Sequence, residues 1–454
     1  MLDPKIVREN PEIVKGVIKA GRGDPKKADV DKWLKLDKQR VELLTRVGEI
    51  NQKRNQISKA GKDGDIEKIR EEGKYLKEEV HKVEKELSVV EKEWKEIMDW
   101  FPNIPIEPMP EGVSEEDNVV VKLWIPGKGY VKKAEGMKAR GQTEDFMAEK
   151  PIHAKDKNFE PKHHLDLGES LGVIDVKQSA KTSGSRFSYL KGDLVLLQYA
   201  LQQILFNELI KRGYTPFVPP LLVKERVLYG TSHFPEGKEQ VYSIKGDNVE
   251  DQNQLYLLGS SEPANFSYFM DTVLEEKDLP VKLFAYTSAF RSEAGSWGKD
   301  VKGIKRVHQF DKIEINAVTT AGQSQEIYKE FLSINEWLLQ KLELPYQLAK
   351  KCTGDAGYLA ASAQIDPEVW LPGQNEFIEV MTATNTTDYQ ARRLNIKYKD
   401  ADGKLQFAHT VNDTGCAMGR MLISILCNYQ QKDGSVLVPK ALRKYVSFKV
   451  IKPK

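Results

Sequence analysis

The chain reads as an α+β protein in two parts, an antiparallel helical hairpin followed by a domain of strands with flanking helices. Three observations carry that reading. Apolar residues recur at 3-4 spacing through most of the first 100 positions. A proline-rich run, Phe101 to Asp117, then stops the helix and marks a boundary. Beyond it, from Leu283 to Ile315, two strand-like runs flank a charged loop that carries glycines, the pattern of a hairpin.

Composition sets the outer limits. A chain of 454 residues exceeds what one core usually serves, so two or more domains are expected, with the joint near residue 110 dividing 1–110 from 111–454. The net charge is only +2 although 30% of residues are charged, so any contact with nucleic acid must come from local basic patches. Cys352, Cys416 and Cys427 lie far apart without CxxC spacing, which suggests buried small hydrophobes and neither a disulfide framework nor a zinc site. The opening MLDPKIVREN lacks an apolar targeting core, and no apolar run approaches the ~18 residues of a membrane span. A soluble, cytoplasmic protein without membrane contact is the expectation.

In the hairpin, positions 33, 36, 40, 43, 47, 50, 54 and 57 form one seam, with arginines at 40 and 54 among its apolar residues. AGKDGD, Ala60 to Asp65, signals a turn. The second seam runs from Ile66 through Leu76, Val80, Val83, Leu87, Val90, Trp94 and Ile97 to Phe101, broken only at Gly73. Helices of about 30 residues reach on the order of 45 Å. Their charges differ: Lys32 to Lys62 holds nine Lys or Arg against three Asp or Glu, and Asp63 to Trp100 holds eight against thirteen. The first helix is therefore the one suited to phosphates, although a solvated dimerisation coiled coil fits the same pattern.

Past the linker, Leu194 to Tyr214 is an amphipathic helix, and TPFVPPLLV after it suits an edge strand. His163 and His164 are adjacent, so their side chains point apart, and with no third ligand at useful spacing a metal site is rejected. In the Leu283–Ile315 hairpin, strand alternation puts Arg291 and Glu293 on one face of the first run, and His308, Phe310 and Glu314 on one face of the second. A guanidinium suits a phosphate, an aromatic ring can stack on a base, and carboxylates accept from amino groups. An ordinary antiparallel pair with surface ion pairs fits these residues as well.

FRSEAG followed by RVHQFDKIE resembles motif 2 of the class II aminoacyl-tRNA synthetases, specifically of the seryl-tRNA synthetases. The resemblance extends over nearly the whole chain and implies a mostly antiparallel catalytic sheet, a homodimer, and ATP-dependent activation of L-serine to seryl-adenylate followed by transfer to tRNA(Ser). Charging of tRNA(Sec) stays open. By position, Arg291 would grip the α-phosphate of ATP, Ser292, Glu293 and Val307 would belong to the ATP site, and Phe310 would stack on adenine. The helix and proline strand resemble motif 1, which would put Pro219 or Pro220 at the two-fold contact. Ser260, Ser261 and Glu262 match the serine-binding segment, with Ser where the family has Thr, and Glu314 matches its second carboxylate. Glu379, Val380, Met381 and Thr382 match the strand that holds ATP and Mg²⁺, with Glu379 and Thr382 as metal ligands. Arg420 matches the motif 3 arginine that meets the γ-phosphate, and Arg291, Glu379 and Arg420 are the catalytic set. Asn412, Asp413 and Thr414 replace Asn-Gly-Ser, with Thr414 as the hydroxyl facing the substrate and the added methyl of Thr414 set against the missing one of Ser260. The N-terminal hairpin would grip the variable arm of the tRNA. Two rival functions are a paralogue that loads a carrier protein, against which the intact arm argues, and a non-catalytic tRNA-binding regulator, against which the complete set of charged residues argues.

Overall fold

A computed structural model describes residues 1–60, 66–139, 142–244, 254–294 and 302–453. Most of the expected turn at 60–65, and residues 295–301 of the loop within the 283–315 hairpin, lie outside the described residues. The chain divides into two compact units, Met1–Ile104 and Pro105–Lys454.

In the first unit, α1 (Val30–Ala60) and α2 (Ile66–Met98) form the hairpin. Asp29 precedes α1 and its carboxylate accepts the Lys32 amide at 2.9 Å, satisfying one of the donors a helix start leaves open. The seam is apolar where the spacing put it: Ile50, Leu76, Val80 and Val83 are buried together, with Leu43, Val47 and Ile57 against them. Arg40, a seam position, stays by laying its guanidinium over Trp94, 5.1 Å from the ring centre, while it bonds Glu91 at 3.1 Å. Asp37 is a buried acid that the seam did not indicate. It is held by Arg8 at 2.5 and 2.9 Å and by the Trp94 indole at 2.9 Å; burial alone would raise its carboxyl, and these bonds keep it below the usual range.

The second unit is built on a sheet of eleven strands among the described residues. Those that matter are β1 (Val119–Ile125), β2 (Thr215–Phe217), β3 (Val281–Phe290), β4 (Gln309–Thr319), β5 (Tyr346–Lys350), β6 (Ala363–Leu371), β7 (Glu376–Glu379), β8 (Thr382–Asn385) and β9 (His409–Ala417). They run in the order β1-β5-β6-β8-β9-β4-β3-β2, with β7 also on β6. Every one of these pairings is antiparallel except β2 with β3. Helices α3 (Asp193–Lys211), α4 (Ser324–Lys341) and α5 (Met418–Tyr429) contribute Leu201, Phe331 and Leu422 to one large apolar core with Ile313, Ile315 and Ala317 of β4. Alternation along β4 then sends Phe310, Lys312 and Glu314 to the opposite face, away from the helices.

One irregularity sets the pocket. Across β4 and β9, Glu314 faces Thr414 while Ile313 faces Cys416, so Gly415 is an extra residue in β9, a β-bulge. A Cβ there would lie 2.7 Å from the Ile315 side chain, so glycine is required for the strands to meet. N-terminal to the bulge, Asn412 and Thr414 point to the face of Glu314, and Asp413 points to α4. All three cysteines are buried thiols, and His164 is buried with its ring accepting the Ile304 amide at 3.3 Å, its basicity pulled down to about 3 by burial.

Candidate active site

The face of β4, β8 and β9 opposite α3, α4 and α5 carries a cavity of about 160 Å³ lined by Ser260, Glu262, Arg291, Lys312, Glu314, Glu379 and Thr414, among others. Three of its charged groups, Glu262, Lys312 and Glu314, are buried. Lys312 is 5% exposed and Glu314 2%, and the two form a close ion pair. Thr414 donates its hydroxyl to Glu314 Oε1 at 3.0 Å. Glu262, 9% exposed, accepts from Gln390 at 2.7 Å and from Asn412 at 3.2 Å. Burial, reinforced by the nearby Glu314, pushes the Glu262 carboxyl up to about 7. Burial also pulls the Lys312 ammonium below its ordinary range, against the attraction of Glu314. The cavity thus offers acceptors for an ammonium and cations for a carboxylate within a space for a very small polar molecule.

A second cavity of about 230 Å³ shares Arg291, Lys312, Glu379 and Thr414 with the first and adds Glu293, Val307, Phe310 and Arg420. Arg291 is anchored by its Nε donating to the Gly259 carbonyl at 3.1 Å, and its guanidinium lies 5.5 Å from the Phe310 ring centre. Arg420, near the start of α5, donates to the Glu379 backbone carbonyl at 3.0 Å and sits 3.2 Å from its carboxylate. Thr382 donates to that same carboxylate at 3.2 Å. Burial works against charge on Glu379, but Arg420, Lys351 and Arg291 more than offset it, and the carboxyl titrates below its usual range. Its side chain is 42% exposed, which leaves it open to the cavity.

Not every expected residue reaches these cavities. The strand ends at Phe290, and Glu293 has a positive φ of 53°, so Arg291 and Glu293 do not share a strand face as alternation implied; both reach the second cavity from the turn. His308 precedes β4, and its Nδ1 lies 2.9 Å from the Arg291 carbonyl, holding the neck of the loop. Ser292 turns outward and donates to the Glu239 carbonyl, lining neither cavity. Ser261 is fully buried beneath the site, accepting from Asn265 at 3.5 Å. The Val380 and Met381 side chains lie in the apolar core, and the Val380 amide and carbonyl are already bonded to Pro367 and Ala417. Asp413, which stands where the family has Gly, faces α4 and accepts from Asn335 Nδ2 at 2.8 Å.

Three groups were missed by the sequence reading. Lys312 had a signal, since it lies between Phe310 and Glu314 at strand spacing. Gln390 and Lys351 had none: Gln390 comes from the helix Tyr389–Leu394, and Lys351 follows β5 and reaches Asp366 at 3.1 Å.

Residues 1–105 match the family described as the seryl-tRNA synthetase N-terminal domain, and residues 242–429 the tRNA synthetase class II core domain (G, H, P, S and T). The chain is 38% identical over 458 residues to the serine–tRNA ligase of Dictyoglomus turgidum, covering 100% of both. It is equally 38% identical to that of Pyrococcus abyssi, covering 100% of this chain and 98% of the relative. Among solved structures, seryl-tRNA synthetase from Pyrococcus horikoshii complexed with ATP superposes with a TM-score of 0.87 at 35% identity, covering 100% of each chain. The cytoplasmic enzyme of Naegleria fowleri in complex with AMP gives 0.83 at 29%, covering 100% and 99%.

Proposed function

The chain belongs to the seryl-tRNA synthetases, ligases of class II, and we propose that its paired cavities hold serine and ATP for the first of two reactions. The observation that carries this reading is the sharing of Arg291, Lys312, Glu379 and Thr414 by a small, doubly charged cavity and a larger one bearing Phe310 and Arg420. The serine ammonium is held by Glu262 and Glu314, and its hydroxyl lies against Thr414 and Ser260. Lys312 and Arg291 face the serine carboxylate and keep it turned toward the larger cavity.

ATP lies there with its base near Phe310 and its α-phosphate on Arg291. A serine carboxylate oxygen attacks the α-phosphorus, the bond to the bridging oxygen breaks, and pyrophosphate leaves with the electron pair. Arg291 and Arg420 stabilise charge on the phosphate oxygens, and no side chain forms a covalent bond. In the second reaction a ribose hydroxyl at the tRNA 3′ end attacks the seryl carbonyl carbon, the bond from that carbon to the phosphate oxygen breaks, and AMP leaves with the electron pair as the hydroxyl proton is released.

Glu379 and Thr382 are hard oxygen donors, one of them held ionised. A carboxylate and a hydroxyl oxygen are the donor types that suit a hard cation such as Mg²⁺. Glu379 and Thr382 would hold Mg²⁺, which would supply charge neutralisation for the triphosphate.

The basic helix α1 serves as the tRNA contact. The outward side chains Leu196, Tyr199 and Ile210 of α3, with Val218 94% exposed beside the buried Pro219, form an apolar face that suits a second copy in a homodimer. The test is ATP–pyrophosphate exchange with serine, threonine and alanine, on the wild type and on the Ser260→Thr, Thr414→Ser double variant. Serine is preferred by both proteins, because the two exchanges conserve pocket volume. Threonine exchanged as efficiently as serine by the wild type would overturn the assignment.

A further inference from the structure

Between the pocket residues Asn412 and Thr414, the chain buries a carboxylate on the opposite face of the sheet. Asp413 is 0% exposed, and Asn335 of α4, also 0% exposed, donates its amide Nδ2 to Asp413 Oδ1 at 2.8 Å. Asp413 Oδ2 and Asn335 Oδ1 each lack a hydrogen-bond partner among the described residues. Both are acceptors, on two side chains already joined at their other ends. Two unpartnered acceptors in a buried core are costly, and an ionised carboxylate costs more than a neutral one.

A single proton on Oδ2 would satisfy both, with the acid donating to Asn335 Oδ1 while it accepts from Nδ2. We infer that Asp413 is held as a neutral carboxylic acid, closed on the Asn335 carboxamide by two hydrogen bonds, and that this pair positions the strand segment presenting Asn412 and Thr414. The surroundings agree. Burial is the largest influence on Asp413 and drives its carboxyl well above the ordinary range, outweighing the Asn335 hydrogen bond and Lys312, which oppose it, while Glu314 and Asp366 add to it. The remaining titratable neighbours, Tyr214 after α3 and Tyr328 of α4, are themselves pushed up by burial and stay neutral. Asp413 touches no substrate in the proposed arrangement, so it is a positioning residue, acting through β9.

Asp413→Asn separates this from a charged pair, since two carboxamides make the same closed pair of hydrogen bonds without any proton to lose. A folded carboxyl titrating above its unfolded value loses stability as pH rises from the unfolded value toward the folded one. The Asn variant lacks that loss, so its melting temperature exceeds that of the wild type by a margin that widens from about pH 5 to about pH 9. Isotope-edited infrared spectra of the wild type at neutral pH show a protonated carboxyl band that Asp413→Asn removes. In exchange kinetics, Asp413→Ala, which leaves the Asn335 amide unpaired, raises KM for serine by about tenfold while KM for ATP stays, and Asp413→Asn restores it. Parallel pH–stability curves for wild type and Asn variant, or no protonated band, would overturn the neutral pair. Equal rises in both KM values, or none, would overturn the positioning role. The serine kinetics rest on the proposed function, whereas the infrared and stability measurements do not, so the two readings fail separately.

Discussion

The arm and the pocket use the same side chains under opposite conditions. On the arm, Arg46 and Glu79 meet at 3.0 Å with 56% and 26% of their side chains exposed, as water-facing groups on helices that an apolar seam already holds together. In the pocket, Lys312 and Glu314 meet with only 7% and 3% of their side chains exposed. The first pair can be lost at little cost, because water replaces each partner. The second cannot, because removing one charge strands the other in a low dielectric. Charge on the arm is thus a surface property suited to a large, salt-sensitive partner, and charge in the pocket is a fixed arrangement suited to one small zwitterion.

The largest effect that tests this contrast comes from shortening the arm. Replacing residues 44–83 with a tight turn keeps the Trp33, Asp37, Arg40 and Trp94 cluster whole. Such a chain forms seryl-adenylate at the parent rate in pyrophosphate exchange yet fails to charge tRNA(Ser). Charging by the parent weakens steeply with added salt, while exchange changes little. Unimpaired charging by the shortened chain would remove the arm from the tRNA contact.

Next in size, Arg291→Ala and Arg420→Ala each lower exchange by roughly 10²–10³-fold, the usual loss when one charge-stabilising donor is removed. Circular dichroism stays that of the parent, since both side chains line the cavity and lie outside the apolar core. Exchange at the parent rate by either variant would cancel that residue's role.

A smaller effect follows from Glu262. Its carboxyl is pushed up to about 7, so the ionised form that holds an ammonium is lost as pH falls below that value. kcat/KM for serine therefore declines with acidity, approaching tenfold per pH unit below about pH 6 for a single required carboxylate. The same proton is bound more tightly in the folded protein, so this group's contribution to stability falls as pH rises from about 4 to about 7 and is flat above. A serine profile flat between about pH 5 and about pH 8 would show that Glu262 is not required as a carboxylate.

The smallest effect is again on the arm. Arg46→Gln shifts stability by less than about 1 kcal/mol in thermal unfolding, as expected for an exposed pair. A larger loss would mean that the arm's ion pairs act as a structural network, and the contrast with the pocket would narrow.

The sequence by itself determined whatever depends on local repetition. The 3-4 seam of the arm and the strand alternation that puts Phe310 and Glu314 on one face follow from the 3.6 and 2.0 periods of the backbone, and the proline stop after Phe101 follows from a ring that lacks an amide donor and bars the helical conformation before it. The wording of FRSEAG and RVHQFDKIE also named Arg291 and Phe310 before any contact was visible. Tertiary structure decided what depends on where strands begin, end and slip. The strand ends at Phe290, so Glu293 enters the site from a turn in place of a face. The Gly415 bulge shifts the alternation of β9, which sends Asp413 into the core against Asn335 while Asn412 and Thr414 stay at the pocket. Val380 and Met381 sit beside Glu379 in sequence but fill the core, and Gln390 is distant in sequence yet bonds Glu262. A period can be read from neighbouring residues, whereas a one-residue slip between β4 and β9 depends on a packing contact, Gly415 against Ile315, between residues 100 positions apart.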